Sequence, residues 1–144
     1  MLDKKIFITV FVAVIAALFT YEKFYKIRYK QAAYISEGIV QATRIKNHVM
    51  EYYMTTGKLP STNNDLGIAP PEQFKSESLV SLEVSKGGII TLTFDRKSGV
   101  KNGIIQFSPK VRETMNPQWA CTTPSYQKIS SYYPQCKYIE NKDS

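Results

Sequence analysis

The sequence predicts an α+β fold in which one long N-terminal helix packs on an antiparallel β-sheet of three to four strands. An uncharged run from Ile6 to Tyr21 continues into apolar residues spaced three and four apart, up to about Thr56. Strand-like segments then flank the glycine turn Gly87-Gly88. At 144 residues and 43% hydrophobic content, the chain has the size and core of one domain, which excludes low-complexity and disordered classes.

The apolar segment from Ile6 to Tyr21 predicts a membrane anchor. As a helix it measures roughly 24 Å, slightly less than the ~30 Å hydrocarbon layer. Flanking side chains can complete the span by reaching the interface: Lys4, Lys5, Lys23, Lys26, Arg28, Lys30, Phe19, Tyr21, Phe24 and Tyr25. A cleavable secretory signal is the alternative, because the Lys-Lys pair and the short apolar run also meet its loose requirements.

The following segment predicts an amphipathic helix that ends near Gly57 and Pro60. We expect its apolar face to hold the sheet through Ile35, Ile39, Ile45, Val49 and Tyr52. Joined to the apolar segment, it forms a helix near 75 Å long at ~1.5 Å per residue. The first part of so long a rod can be covered only by lipid or by copies of itself.

The rest of the chain predicts a loop, a sheet and a polar tail. Residues 57–78 are rich in Pro, Ser and Asn and indicate a connecting loop, and residues 79–120 hold the sheet. The expected strands are Leu79 to Val84, Ile89 to Phe94 and Ile104 to Pro109, with a possible fourth near Met115 to Cys121. Residues 121–138 form a tyrosine-rich loop.

The chain is basic, with 19 Lys and Arg against 12 Asp and Glu, a formal charge of +7. Such a balance fits nucleic acid, anionic lipid or a merely basic surface. Cations near Phe94 and Phe107 form a candidate strip for contact with DNA or a partner: Arg96, Lys97, Lys101, Lys110 and Arg112. Lys128, in the tyrosine-rich loop, is a further candidate contact. A solvated basic face is the alternative, because strand alternation sends about half of such side chains elsewhere.

Residues that could carry catalysis are few. His48 is the only histidine and lies on the amphipathic helix, without a partner for proton transfer or enough further ligands for a metal. No Ser-His-Asp arrangement or Gly-rich phosphate loop is recognisable. We therefore expect no catalytic, cofactor-binding or metal residues, no cofactor and no enzymatic activity.

Cys121 and Cys136 are the two cysteines, and a single disulfide suits them better than a metal site. Closing a loop of that size contributes roughly 3 kcal/mol in the chain-entropy description. A bridge implies an oxidising compartment, whereas two reduced thiols are the alternative. Because the domain sits on a rod, we expect this loop to be distal and to face outward.

Three stretches share a pattern with one known family. Most specific is the helical one: Ser36-Glu37-Gly38, Lys46, Glu51-Tyr52-Tyr53, Gly57-Lys58-Leu59-Pro60 and Asn63-Asn64. The others are the hairpin Gly87-Gly88-Ile89-Ile90-Thr91-Leu92-Thr93, and Trp119-Ala120-Cys121 with Tyr133-Pro134-Gln135-Cys136-Lys137. From about Tyr21 onward, the chain resembles the type IV pilins of bacteria.

The resemblance implies a pilin-like fold with a C-terminal disulfide loop. Residues 1–23 are then the transmembrane and filament-core half of the helix, and residues 24–144 the globular domain with its amphipathic helix at 24–56. The side chains that would pack in the membrane and in the filament are Ile6, Phe7, Val10, Phe11, Val14 and Leu18. The implied protein is a structural pilus subunit for adhesion, motility or DNA uptake. Its implied partners are other pilin subunits, the pilus assembly machinery and a DNA or surface ligand. It is expected in the bacterial inner membrane, with its domain in the periplasm, and then in a cell-surface pilus.

The N-terminal segment departs from the family pattern. The ungapped match places Phe7 where pilins carry a glutamate, and Phe24 where a helix-kinking proline is usual. A carboxylate in lipid is costly unless paired, and in the family it is thought to draw in the next subunit. The departure therefore implies easier insertion and weaker self-recruitment. It favours an alternative function, a non-polymerising membrane-anchored or tip pilin-like receptor or accessory protein that binds DNA or a partner.

Overall fold

Helix α1, Lys4–Thr56, is continuous over 53 residues. The computed structural model describes residues 3–111 and 118–140. The helix ends at Gly57, whose φ of 69° lies in the left-handed region and whose N–H donates to the Tyr53 carbonyl at 2.8 Å. The predicted single long helix and its glycine stop are therefore confirmed.

A five-stranded sheet follows, with the strands in sequence order. Its members are β1 Leu79–Ser85, β2 Ile89–Phe94, β3 Gly103–Lys110, β4 Gln118–Thr123 and β5 Cys136–Tyr138. Strands β1 to β4 pair antiparallel, as predicted, and β5 pairs parallel to β4. Met115, where the fourth strand was expected to begin, lies outside the described residues.

Strand β5 falls in the segment that the sequence indicated as a polar loop. It is three residues long, and only Cys136 in it is buried. Periodicity cannot reveal so short a strand, because two steps of alternation do not make a pattern. Its pairing sets Cys121 opposite Cys136, Thr122 opposite Lys137 and Thr123 opposite Tyr138.

The core lies between one face of the sheet and the C-terminal half of α1, here called the lower half, whose buried residues run from Ile35 to Val49. The helix buries Ile35, Gly38, Ile39, Ala42, Ile45 and Val49. Strand β2 buries alternate residues, Ile90, Leu92 and Phe94, as expected for a sheet with one covered face. Tyr52, expected to hold the sheet, is only half-buried.

Gly38 lies on the face of α1 that packs against Phe94 of β2. A Cβ at this position would lie 2.6 Å from both Cε1 and Cζ of Phe94. The absence of a side chain therefore lets the Phe94 ring lie directly against the helix backbone.

Asn63 fixes the connecting loop to β1. Its Nδ2 donates to the carbonyls of Ala69 (2.9 Å) and Leu82 (3.1 Å), and its Oδ1 accepts from the Val84 N–H at 2.6 Å. Asn63 is 6% exposed, and its bonds to Leu82 and Val84 satisfy buried backbone groups, while the bond to Ala69 is partly buried.

Candidate functional site

The first part of α1 projects from the core with its apolar side chains uncovered. The six residues predicted to pack in a membrane or a filament are between 51 and 64% exposed: Ile6, Phe7, Val10, Phe11, Val14 and Leu18. Their neighbours Ile8, Val12 and Phe19 are also exposed, so the segment is apolar around its whole circumference. A helix that is apolar all round requires a lipid or protein environment. By length and composition, α1 could cross a membrane.

The C-terminal loop is closed by the predicted disulfide. Cys121 and Cys136 are joined at an S–S distance of 2.02 Å, which ties β4 to β5. The sequence predicted a polar loop here, yet Ile129 within it is fully buried and belongs to the core. The segment that the disulfide closes is therefore also held to the core by an apolar side chain.

Tyr126 attaches the same loop to the turn after β2. Its hydroxyl lies 2.7 Å from Ser98 Oγ, and its ring meets Phe94 edge-on with the centroids 6.2 Å apart. Burial raises the pKa of Tyr126 to about 12, against the opposing effect of the Ser98 hydrogen bond. The neutral phenol is therefore the form that the folded protein holds.

An open groove of about 910 Å³, here called the basal groove, lies between α1, the turn after β2 and the C-terminal loop. The residues that characterise it are Tyr25, Arg28 and Tyr29 from the helix and Lys128, Tyr132 and Tyr138 from the loop and β5. This position corrects the expectation that the loop is distal. Residues 124–132 lie beside helix residues 25–32, close to the apolar segment.

The structure separates the cations of the predicted strip. Arg96 and Lys97 lie in a short 3-10 turn after β2, and Lys101 follows just before β3. Lys110 ends β3, roughly 23 Å from its start at ~3.3 Å per residue. Lys128 lies at the basal groove, and Arg112 lies outside the described residues.

Lys97 is also engaged within the domain. Its Nζ donates to the Glu77 carbonyl at 3.0 Å and lies 3.5 Å from Glu77 Oε2. Arg96 and Lys101 are exposed at the same end of the sheet. Of the described candidate cations, Arg96 and Lys101 thus lie at this turn and Lys128 at the groove beside it, while Lys110 is exposed at the far end of β3, so they do not form a continuous strip.

The positions of two basic side chains were not predicted from the sequence. Lys46, placed on the polar face, is half-buried with its Nζ 3.7 Å from the Phe107 ring centroid, and burial lowers its pKa. Arg28 was assigned to the membrane flank alone, yet it shares the basal groove with Lys128. The only local signal was the alternation of cations and tyrosines from Tyr25 to Lys30.

The single histidine, His48, does not belong to a cluster of potential metal ligands among the described residues. His48 is exposed on α1. Within residues 3–111 and 118–140, no group of three or more His, Cys, Asp or Glu side chains could hold a metal ion. What the arrangement offers is a set of surfaces for association.

Comparison with known proteins points to one family. A family described as pilin (bacterial filament) matches residues 33–137. Over 100 residues, 67% of this chain, the sequence is 36% identical to the type IV major pilin protein PilE1 of Neisseria gonorrhoeae and covers 59% of that protein. Against a fimbrial protein of Neisseria meningitidis serogroup A, the identity is 34%, with 67% of this chain and 57% of that protein covered.

The match therefore spans less than two thirds of the length of these relatives. It includes the lower half of α1, the sheet and the disulfide loop, and it agrees with the α+β architecture described above. The resemblance to type IV pilins is confirmed, and the chain belongs to the pilin family of bacterial filament proteins.

Proposed function

We propose that the chain is a structural subunit of a type IV pilus, held in the bacterial inner membrane with its domain in the periplasm and then packed into a filament. The observation that carries this proposal is the uncovered apolar half of α1, continuous with the helix that anchors the pilin domain. In water that surface is unfavourable at roughly 25 cal/mol per Å². Lipid before assembly and neighbouring helices after it would remove the cost.

The proposal is tested by fractionation and mass. Filaments sheared from the source cells and the remaining membrane pellet are analysed by intact-mass spectrometry without reduction. Abundant chain in the sheared fraction, about 2 Da light for one disulfide, supports the subunit. Chain confined to the pellet contradicts it. Adhesion, motility and DNA uptake are uses of such a filament, and deletion strains assayed for each would separate them.

A second candidate is a non-polymerising membrane-anchored or tip receptor. The observation that favours it is Phe7, 64% exposed at the position where the resembling family carries a glutamate. On this proposal, Phe7→Glu increases the amount of chain in the sheared fraction, because it restores the group thought to draw in a neighbour. An unchanged fraction would argue against the receptor.

DNA is a candidate ligand of that receptor, through the exposed cations Arg96 and Lys101. Because phosphate contacts release counterions, such binding weakens as salt rises. We expect Arg96→Ala/Lys101→Ala to reduce DNA affinity and to flatten its salt dependence. Lys58→Ala, at the far end of α1, serves as the control. Equal affinities of the two variants would exclude this contact.

A further inference from the structure

We infer that the basal groove is a docking site for the headgroups of anionic phospholipids. The inference rests on the membrane anchoring proposed above and goes beyond it. It assigns a membrane-contacting role to the C-terminal loop, which is about a hundred residues away from the anchor in the chain.

The position of the groove along α1 supports this. The helix is unbroken through Tyr21, where the apolar segment ends, to Arg28 seven residues later. That separation is roughly 10 Å along the axis. Headgroups occupy about 5 to 8 Å outside each hydrocarbon surface. Helical side chains lean toward the N-terminus, so the guanidinium of Arg28 would extend back into this layer.

The chemistry of the groove fits phosphate. Arg28 and Lys128 are both exposed, and neither has an ion-pair partner among the described residues. Guanidinium and ammonium groups both bind phosphate oxygens, the guanidinium in a bidentate manner. None of the described residues lining the groove carries a carboxylate that would repel an anion.

The remaining lining suits the membrane interface. Tyr25, Tyr29, Tyr132 and Tyr138 border the groove, and tyrosine is enriched at the headgroup level because its ring is apolar and its hydroxyl polar. Arg28 lies near enough to Tyr132 to oppose the rise in pKa that burial causes there. Cation and phenol thus face the same space from two distant parts of the chain.

Hydrogen exchange of the full chain in nanodiscs tests the inference. Discs are made of phosphatidylcholine alone or of phosphatidylcholine with phosphatidylglycerol, and loaded with one chain each. Near an anionic surface, one Lys or Arg strengthens association roughly five-fold. We expect phosphatidylglycerol to slow exchange in residues 124–132 by about that factor or more. Arg28→Gln/Lys128→Gln should abolish the difference, whereas Lys58→Gln/Lys86→Gln, which also removes two positive charges but near the C-terminal end of α1, should keep it.

Each other outcome overturns the inference in a different way. A chain that inserts normally but exchanges equally in both lipids leaves the anchor intact and removes the headgroup site. If discs loaded with two chains show protection that discs with one chain lack, and this protection is independent of phosphatidylglycerol, the groove belongs to a second copy. A chain that does not enter the discs contradicts the proposed anchoring and the docking site together. An intact disulfide mass and an unchanged circular dichroism spectrum exclude misfolding of the variants.

Discussion

In this protein, single side chains join segments that are distant in the sequence. Asn63 satisfies three backbone groups of the loop and β1, and Tyr126 links the C-terminal loop to Ser98 and Phe94. Both are buried and polar, a combination that is costly when any partner is lost. Their contributions should therefore appear clearly in unfolding measurements.

Replacement of Asn63 should be among the most damaging changes outside the apolar core. Asn63→Ala leaves the Val84 N–H and the Leu82 and Ala69 carbonyls without their partner, at a cost of about 2 to 4 kcal/mol. Denaturant unfolding of the full chain in detergent measures this loss. The neighbour Asn64 is exposed, so Asn64→Ala should change stability little. Equal effects of the two variants would contradict the assigned role.

Tyr126 should make the fold sensitive to alkaline pH. Its pKa of about 12 exceeds the usual value near 10, so the folded state favours the neutral phenol. The corresponding stability is present below pH 10 and is lost as pH rises from about 10 to 12. Two units correspond to about 2 to 3 kcal/mol.

The Tyr126→Phe variant checks this linkage. It should lose roughly 1 kcal/mol at neutral pH with the Ser98 hydrogen bond, and then decline less steeply than the wild type between pH 10 and 12. Burial also raises the pKa values of Tyr132 and Tyr133, so some alkaline loss remains in both proteins. Parallel stability curves would show that Tyr126 does not carry the effect.

Among the elements, the short strand β5 depends most on a covalent link. It has three residues and, among the described strands, pairs only with β4, where Cys121 stands opposite Cys136. With a sequence separation of 15, the disulfide should contribute roughly 3 kcal/mol. Cys121→Ala/Cys136→Ala should lower the unfolding free energy by about that amount and speed hydrogen exchange in residues 136–139. A loss below about 1 kcal/mol would mean that Ile129 and Tyr126 alone hold the loop.

The elements that could be predicted from sequence are those whose patterns are local and long. Spacings of three and four marked Ile35 through Val49, and alternation marked Ile90, Leu92 and Phe94. Strand β5 could not be predicted, because its pairing depends on a partner fifteen positions away. The two cations of the basal groove could not be predicted for the same reason, because only the packing of the loop on α1 brings Arg28 and Lys128 to one groove.

On the scale of the whole molecule, the two halves of α1 differ in what covers them. The lower half packs on the sheet, while the apolar half is uncovered. Val14→Lys, in the middle of that apolar half, should impair membrane insertion, because a lysine at the centre of a spanning helix costs about 2.5 to 3.5 kcal/mol. The measure is the fraction of chain that resists alkaline extraction from membranes.

The same substitution at Phe24 provides the matched control for Val14→Lys. Phe24 is 69% exposed and lies among the cations that follow the apolar segment. A lysine there can reach the headgroups, so Phe24→Lys should leave insertion intact. Equal extraction of both variants would remove the distinction between the apolar segment and its flank.

Each margin of the sheet offers only a short edge to an added strand. On one side, Asn63 occupies the Leu82 carbonyl and the Val84 N–H on the outer edge of β1, and on the other β5 covers β4 with only three residues. Unpaired edges invite strand-to-strand aggregation when copies of a chain are crowded together. Anchored subunits would be crowded in this way. Short edges reduce such strand pairing between neighbouring domains, and they leave the apolar half of α1 as the larger surface for contact between copies.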